Sequence, residues 1–471
     1  MEGQESDEGR KDRYLILVIV LAGVFMSVLD GVVVIIALPN ITSFFHVGVG
    51  ESQWVVTTYP LIETAFIIIF GKVAEKTGKA KMFTAGLIIF TVSSLMCGIS
   101  SSLESLVLFR VIQGMGAAML FSIAAAIVFQ VFRHEDRGKV MGLLGSAVAV
   151  AMLAGPAIGG FIVAGLGWQY IFWINVPVGV LAAALALKTL RLNENAVERW
   201  KMDYLGSILW IVAIVSILLT MGEMAAAAGV TALAVAFMAT FALSLTGFAV
   251  WEKRTADPLL DVSVFRVRAF TFAGLSMAMF FISSNIVSVV GPFYYEGVLG
   301  YGPETVGLIF MILPAVMIFG SPLTGRLYDR THSRHYSPVG QLIRAGSLFL
   351  LAAGFFWQDM TTMLVAFAVM GLGSALFKSV NDTEVMITLP KERSAVASSV
   401  SATFRNLSIP LGTSVGTLLL VFQMGKVDLT GAFGTPIAST LAMAATVSVL
   451  VAGFVSLAGA GMSYVGNREG R

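Results

Sequence analysis

The sequence predicts an all-α protein that crosses a membrane fourteen times, with both termini on the cytoplasmic side. Three observations carry this. The 471-residue chain is 57% apolar and 12% charged, with a mean hydropathy of +0.87. A soluble chain carries roughly 25% charge, so this one cannot cover a water-facing surface, and lipid is its expected solvent. Apolar runs near the roughly 20 residues that cross hydrocarbon recur fourteen times. Lysines and arginines cluster in alternate connections. The net charge of +2 gives no reason to expect nucleic acid, and a single cysteine, Cys97, excludes an intramolecular disulfide.

In order, the runs cover 14–37, 54–71, 82–100, 105–130, 140–165, 168–187, 204–222, 229–250, 270–295, 304–324, 338–357, 360–380, 395–422 and 436–460. The polar start leads into the first run with no small-residue cleavage site after it, so no cleaved signal peptide is expected. Arg10, Lys11 and Arg13 precede that run. Later clusters are Lys72 to Lys81, Arg133 to Lys139, Lys188 to Lys201, Lys253 to Arg268, Arg326 to Arg334, and Lys391 with Arg393; Arg468 and Arg471 close the chain. The opposite connections hold one clear cation, Lys426. The positive-inside rule assigns the basic side to the cytoplasm, and an even number of spans puts both termini there.

An internal repeat divides the runs. Gly71-Lys-Val-Ala-Glu-Lys-Thr77 matches Gly325-Arg-Leu-Tyr-Asp-Arg-Thr331 at a displacement of 254 residues, and Pro156 and Pro410 share it. The expected organisation is a cytoplasmic tail (1–13), a six-helix half (14–187), linkers with two inserted spans (188–269), a second six-helix half (270–460) and a second tail (461–471). Parallel halves related by an axis along the membrane normal are a transporter architecture, with substrate bound between them near the midplane.

These segments resemble the major facilitator superfamily, in particular its fourteen-span drug:proton antiporter branch, over essentially the whole chain. Gly71 to Lys81 is similar to the family's loop signature after the second helix, with Glu75 where aspartate is usual. Arg110 to Ala118 resembles its fourth-helix motif. Gly145 to Gly160, ending Ala-Gly-Pro-Ala-Ile-Gly-Gly, resembles the fifth-helix antiporter motif. Trp168 to Gly179 and Asp257 to Phe265 resemble segments of the fourteen-span branch. Leu29 to Pro39 resembles its first-helix motif, with Val32 and Ile35 replacing the usual threonine and asparagine. The resemblance implies alternating access and proton antiport in a cell membrane. Gly71, Glu75, Lys76, Gly78, Gly145, Gly155, Pro156, Gly159, Gly160 and, in the second loop copy, Asp329 are the gating candidates: the fifth-span residues either only let helices pack or also bend for alternating access, and the Glu75 loop either latches the halves or is a solvated loop.

The charges inside the runs carry the chemistry. An arginine in hydrocarbon costs from about 2.5 to beyond 10 kcal/mol, so Arg110 needs a partner or a wet cavity. Gln113, Gly114 and Gly116 follow it, and the glycines let a neighbouring backbone approach. Asp30 lies at a matching depth, so the two can pair. The pair is either a fixed staple or a proton site, with Asp30 free to take a proton when Arg110 moves away or substrate enters. Glu63, near the middle of its run, is either protonated against a backbone carbonyl or exposed in the cavity as a second titratable group. Displaced by 254, Asp30, Glu63 and Arg110 fall on Ser284, Met317 and Leu364, so proton handling is expected in the first half alone. Arg405 and Asn406 either satisfy carbonyls near Pro410 or bind an anionic group. Arg344 is expected to snorkel to the cytoplasmic surface. Glu63, Gln113, Phe281, Asn285, Tyr294, Arg405 and Asn406 are the candidate cavity residues. Phe280, Phe281, Phe293, Tyr294 and Tyr295 are each either belt or core rings, as aromatics in spans commonly are, or, as a group beside Asn285, contacts for an amphipathic, including a cationic, ligand.

Several functions lose support. There is no Gly-x-x-x-x-Gly-Lys-Ser/Thr, so no nucleotide is expected, and no cofactor beyond the coupling proton. His332 and His335 share a loop without further ligands, so no metal is expected. The connections are too short for an enzyme domain, and the buried charges include no nucleophile. Lipid and a small amphipathic substrate are the expected partners, and the chain is expected to be a monomer. A symporter, an exporter of a metabolite or lipid, and a non-transporting receptor on the same scaffold stay open.

Overall fold

A computed structural model describes residues 7–132, 134–190, 202–227, 229–255, 258–260, 262–331, 333–389, 394–424 and 435–469. Lys391, Arg393 and Lys426 lie outside the described residues, as do Arg133, His332, Asp257 and the cations between Lys188 and Lys253.

Long helices dominate. The first half is built from α1 (Asp7–Phe45), α2 (Val49–Thr77), α3 (Lys79–Gly98), α4 (Leu103–Val131), α5 (His134–Gly165), and the pair α6 (Tyr170–Trp173) and α7 (Asn175–Thr189). Then come α8 (Tyr204–Ala227) and α9 (Ala232–Glu252). The second half holds α10 (Arg268–Gly297), α11 (Pro303–Thr331), α12 (Tyr336–Trp357), α13 (Met360–Ile387), α14 (Ser394–Met424) and α15 (Thr435–Glu469). Taking α6 and α7 as one span, fourteen segments are long and apolar enough to cross a membrane. The chain is therefore a multi-pass membrane protein, and both ends lie on one side.

Many helices outrun the apolar stretches. α2 continues through Lys72 to Thr77, where Lys72, Ala74, Glu75 and Lys76 favour helix and the charges suit water beyond the apolar run, and it stops at Gly78. There φ is +98°, a left-handed region that favours glycine, and the Gly78 N–H donates to the Ala74 carbonyl at 3.0 Å. The sixth span breaks at Ile174 because Pro177 has no N–H to donate to the Trp173 carbonyl. That break starts α7 at Asn175, whose side chain is buried.

Each six-helix group packs within itself, while α8 lies against α2 and α14, and α9 against α8. Small residues set the closest approaches. A Cβ on Gly222 of α8 would meet the Trp54 ring of α2 at 1.9 Å. The halves meet through α5 and α11, α2 and α14, and α1 and α10. On α5, Gly155 and Gly159 face Val32 and Val33 of α1. Gly160 faces the Pro303 carbonyl of α11, 2.3 Å from where a Cβ would sit, and Gly307 meets the Pro156 carbonyl the same way. Asn40 of α1 donates to Glu296 of α10 at 3.1 Å. Leu61 and Ala65 of α2 share an apolar cluster with Ala397 and Val400 near the start of α14, whereas the glycine contacts of α5 and the Asn40–Glu296 bond lie at the end away from the termini. At the terminus end of the same helices, Gly142, Gly145 and Gly325 have nothing within 4 Å. Helices α5 and α11 are thus joined at one end and parted at the other, and they flank an opening toward the terminus side.

Candidate functional site

Five helices of the first half, α1, α2, α3, α4 and α7, bring a charged cluster together. Gly114 abuts the Tyr59 backbone and Gly116 the Phe90 backbone, pressing α4 onto α2 and α3. Arg110, one turn before Gly114, thereby reaches across to α1. Its Nη1 donates to Asp30 Oδ2 and, at 2.7 Å, to Gln113 Oε1, while Nε donates to the Val55 carbonyl at 3.0 Å. The guanidinium lies over the Tyr59 ring at 4.3 Å. The other carboxylate oxygen, Asp30 Oδ1, accepts from Gln113 Nε2 at 2.9 Å and Asn175 Nδ2 at 3.1 Å. Gln113 Nε2 also donates to Ser94 Oγ at 2.8 Å, and the Tyr59 hydroxyl to the Ser27 carbonyl at 2.9 Å. Asp30 and Arg110 are each 1% exposed. Burial of two charges is tolerable because each also has neutral hydrogen-bond partners.

Glu63 stands apart from this cluster. It is half-buried on α2 and faces the second half, where Arg405 of α14 is the cation whose field reaches it. Arg405 is exposed in the middle of its span, and its Nε donates to Asn406 Oδ1 at 3.3 Å. An exposed cation in the middle of α14 and a half-buried carboxylate in the middle of α2, on helices that pack across the halves, are the polar groups at this junction.

Several candidate cavity residues sit elsewhere. Gln113 is fully buried, a ligand of Asp30 rather than a wall of the cavity. Tyr294 is 0% exposed; its ring stacks on Phe355 at 3.8 Å and its hydroxyl donates to the Phe355 carbonyl at 2.7 Å. Phe280, Phe293 and Tyr295 are core residues too. Large rings this apolar fill the interior of the second half, so they do not form a shared aromatic wall. Asn285 donates to the Phe281 carbonyl on its own helix at 2.8 Å and is packed beneath Gly412 of α14. Phe281 is half-buried, against Phe280. Arg344 does not snorkel: it is 0% exposed. The reason is close helix packing, since Gly373 lies on its backbone and Gly340 on that of Phe377, so its face of α12 points inward.

Among the gating candidates, Gly155, Pro156, Gly159 and Gly160 lie at the joined end, whereas Gly145 borders open space. Gly71 is half-buried near Ser122; Glu75 and Lys76 are exposed on the last turn of α2, before Gly78. The Asp329 side chain lies outside the described residues. Sequence reasoning missed Asn175, Ser94 and Tyr59. Asn175 stood inside a quoted motif, but no charge singled it out; its signal is the proline two residues later.

Two helical halves around a gap, with paired charges buried beside it, define a membrane transporter. The chain belongs to the major facilitator superfamily, whose family model matches residues 20–413. It is similar to the riboflavin transporter RibZ of Clostridioides difficile (strain 630), 31% identical over 86% of this chain and 87% of that protein. It is also similar to the multidrug export protein EmrB of Escherichia coli (strain K12), 28% identical over 89% of this chain and 82% of that one. In fold it matches a crystal structure of a bacterial homolog of the human lysosomal transporter Spinster, with a TM-score of 0.69 and 16% identity over 99% of this chain and 98% of that one. Fourteen spans and multidrug relatives agree with the fourteen-span branch.

Proposed function

We propose that the protein exports amphipathic small molecules, cationic ones included, in exchange for protons, by alternating access in the cell membrane. The single observation that carries this is the Asp30–Arg110–Gln113–Asn175 cluster enclosed beside a gap that Glu63 lines. Asp30 exchanges its bond from Arg110 for a proton as the helices shift, and Glu63, facing Arg405, either takes a proton or balances a cationic substrate. The pair Gly160 and Pro303 parts when the joined end opens. Both termini face the cytoplasm, so the gap described here opens inward. The proton is the only coupling agent, no cofactor or nucleotide takes part, no reaction is catalysed, and the monomer is the working unit.

The test is ethidium transport into inverted proteoliposomes driven by an imposed pH gradient. Wild-type protein accumulates dye. Asp30→Asn and Glu63→Gln each lose gradient-driven accumulation, and wild-type rates in both variants would remove the proton assignment. A second reading is favoured by the riboflavin transporter relative: the substrate is a flat polar heteroaromatic metabolite. Riboflavin replacing ethidium in the same vesicles separates the two, through whichever compound moves and competes.

A further inference from the structure

Arg344 is a second buried guanidinium, and nothing in the proton scheme uses it. It sits two turns into α12, wholly enclosed. Its Nη1 donates to Ser374 Oγ of α13 at 3.3 Å, and its Nη2 to Ser283 and Ser284 Oγ of α10 at 3.2 and 2.7 Å. The Phe280 ring lies beneath it at 4.1 Å. All these partners are neutral. Among the described residues no carboxylate pairs with Arg344, and its Nε is buried without an acceptor. A full positive charge in a protein interior is strongly disfavoured unless paired.

The internal repeat sharpens the point. Ser284, the shortest of these contacts, occupies the position equivalent to Asp30. The first half thus gives its buried arginine a built-in carboxylate, and the second half gives its arginine a hydroxyl at the matching place. The surroundings stay polar from Arg344 toward the terminus end. On the same face of α12, Gln341 donates to the Ser276 carbonyl at 3.1 Å and accepts from Ser456 Oγ at 2.9 Å. Further on, Ser463 Oγ donates to Ser337 Oγ at 2.8 Å.

We propose that Arg344, with Ser283, Ser284 and Ser374, forms a binding site for a small monovalent anion of halide size, which the Nε–H and the guanidinium charge hold. The anion serves the second half as Asp30 serves the first. The charge and the unpartnered donor select an anion, and the complete enclosure selects a small one.

The test compares thermal unfolding of the full-length protein in detergent with potassium chloride and with potassium gluconate at equal ionic strength. Chloride raises the wild-type midpoint saturably by roughly a few degrees, as a ligand of the native state must. Ser284→Asp supplies the charge internally, so its midpoint in gluconate equals its midpoint in chloride. Arg344→Met, which has no cation to neutralise, is likewise insensitive to the exchange. A wild-type midpoint equal in the two salts overturns the proposal. So does an undiminished chloride response in Arg344→Met, whether or not Ser284→Asp folds. Crystals grown in bromide give an anomalous peak within hydrogen-bonding distance of Arg344 Nε, and no peak there counts equally against the site.

Discussion

The two halves share an architecture and, among the described residues, each buries one arginine, but they surround it differently. Arg110 of α4 pairs with Asp30 of α1, and Gln113 and Asn175 complete the carboxylate's hydrogen bonds. Arg344 of α12 meets three serines and a phenylalanine ring. The first arrangement is neutral as a unit and contains a group that can take a proton. The second has no titratable acid in contact among the described residues. Duplicated folds keep the positions of helices, while the residues at one matching position, Asp30 and Ser284, decide which half's buried arginine has a carboxylate beside it.

The largest expected effect comes from cutting the neutral pair. Arg110→Ala leaves Asp30 buried and uncompensated, a cost of about 3–5 kcal/mol, and thermal unfolding in detergent shows a collapsed midpoint. Arg344→Met in gluconate loses little or gains, because an apolar side chain of similar length replaces an unpaired charge. Equal losses in the two variants would erase the contrast between the halves.

Asp30→Asn comes next. It keeps the shape but leaves Arg110 buried without its counter-charge, so the unfolding midpoint falls as well, and in vesicles matched for folded protein the dye accumulation driven by a pH gradient falls at least about tenfold, the equivalent of about 1.4 kcal/mol. A third perturbation acts where the halves join. Gly160→Val puts methyl groups against the Pro303 carbonyl and costs about 1–3 kcal/mol in that packed state alone. A cysteine in place of Thr305, nearly isosteric and half-buried beside Pro303, then reacts faster with a water-soluble maleimide added from the side away from the termini.

The smallest effect lies outside the spans. Asp359 caps α13, accepting from the Thr362 N–H at 2.9 Å and the Thr361 N–H at 3.3 Å. Hydrogen bonds from the Thr362 side chain and backbone hold its carboxyl below the ordinary range. A depressed folded value means that the cap stabilises above the unfolded value near pH 4 and that this contribution is lost as pH falls through the folded one. Asp359→Ala therefore lowers the midpoint slightly at pH 7, and the difference closes in acid.

Hydropathy made the spans legible, because fourteen stretches must satisfy the same length requirement in lipid. The Asp30–Arg110 contact was legible from depth alone, since unpaired charges at one level of a bundle are driven together. Asn175, Ser94 and Tyr59 were not, because an uncharged polar group in an apolar run is inexpensive and has many possible partners. Tyr294 and its neighbours misled for a related reason: a ring in a core and a ring in a cavity look alike along the chain. Arg344 misled because its distance from the helix end suited snorkelling. What encloses it is the approach of α13 through Gly340 and Gly373, a tertiary fact that periodicity does not encode.

The central claim is that proton exchange belongs to the first half. Its most direct test is proton release on substrate addition, followed with a pH indicator in weakly buffered detergent solution. Wild-type protein releases protons when ethidium or riboflavin binds. The double variant Asp30→Asn/Glu63→Gln releases none, while Arg405→Gln and Arg344→Met still release. Undiminished release from the double variant would contradict the account.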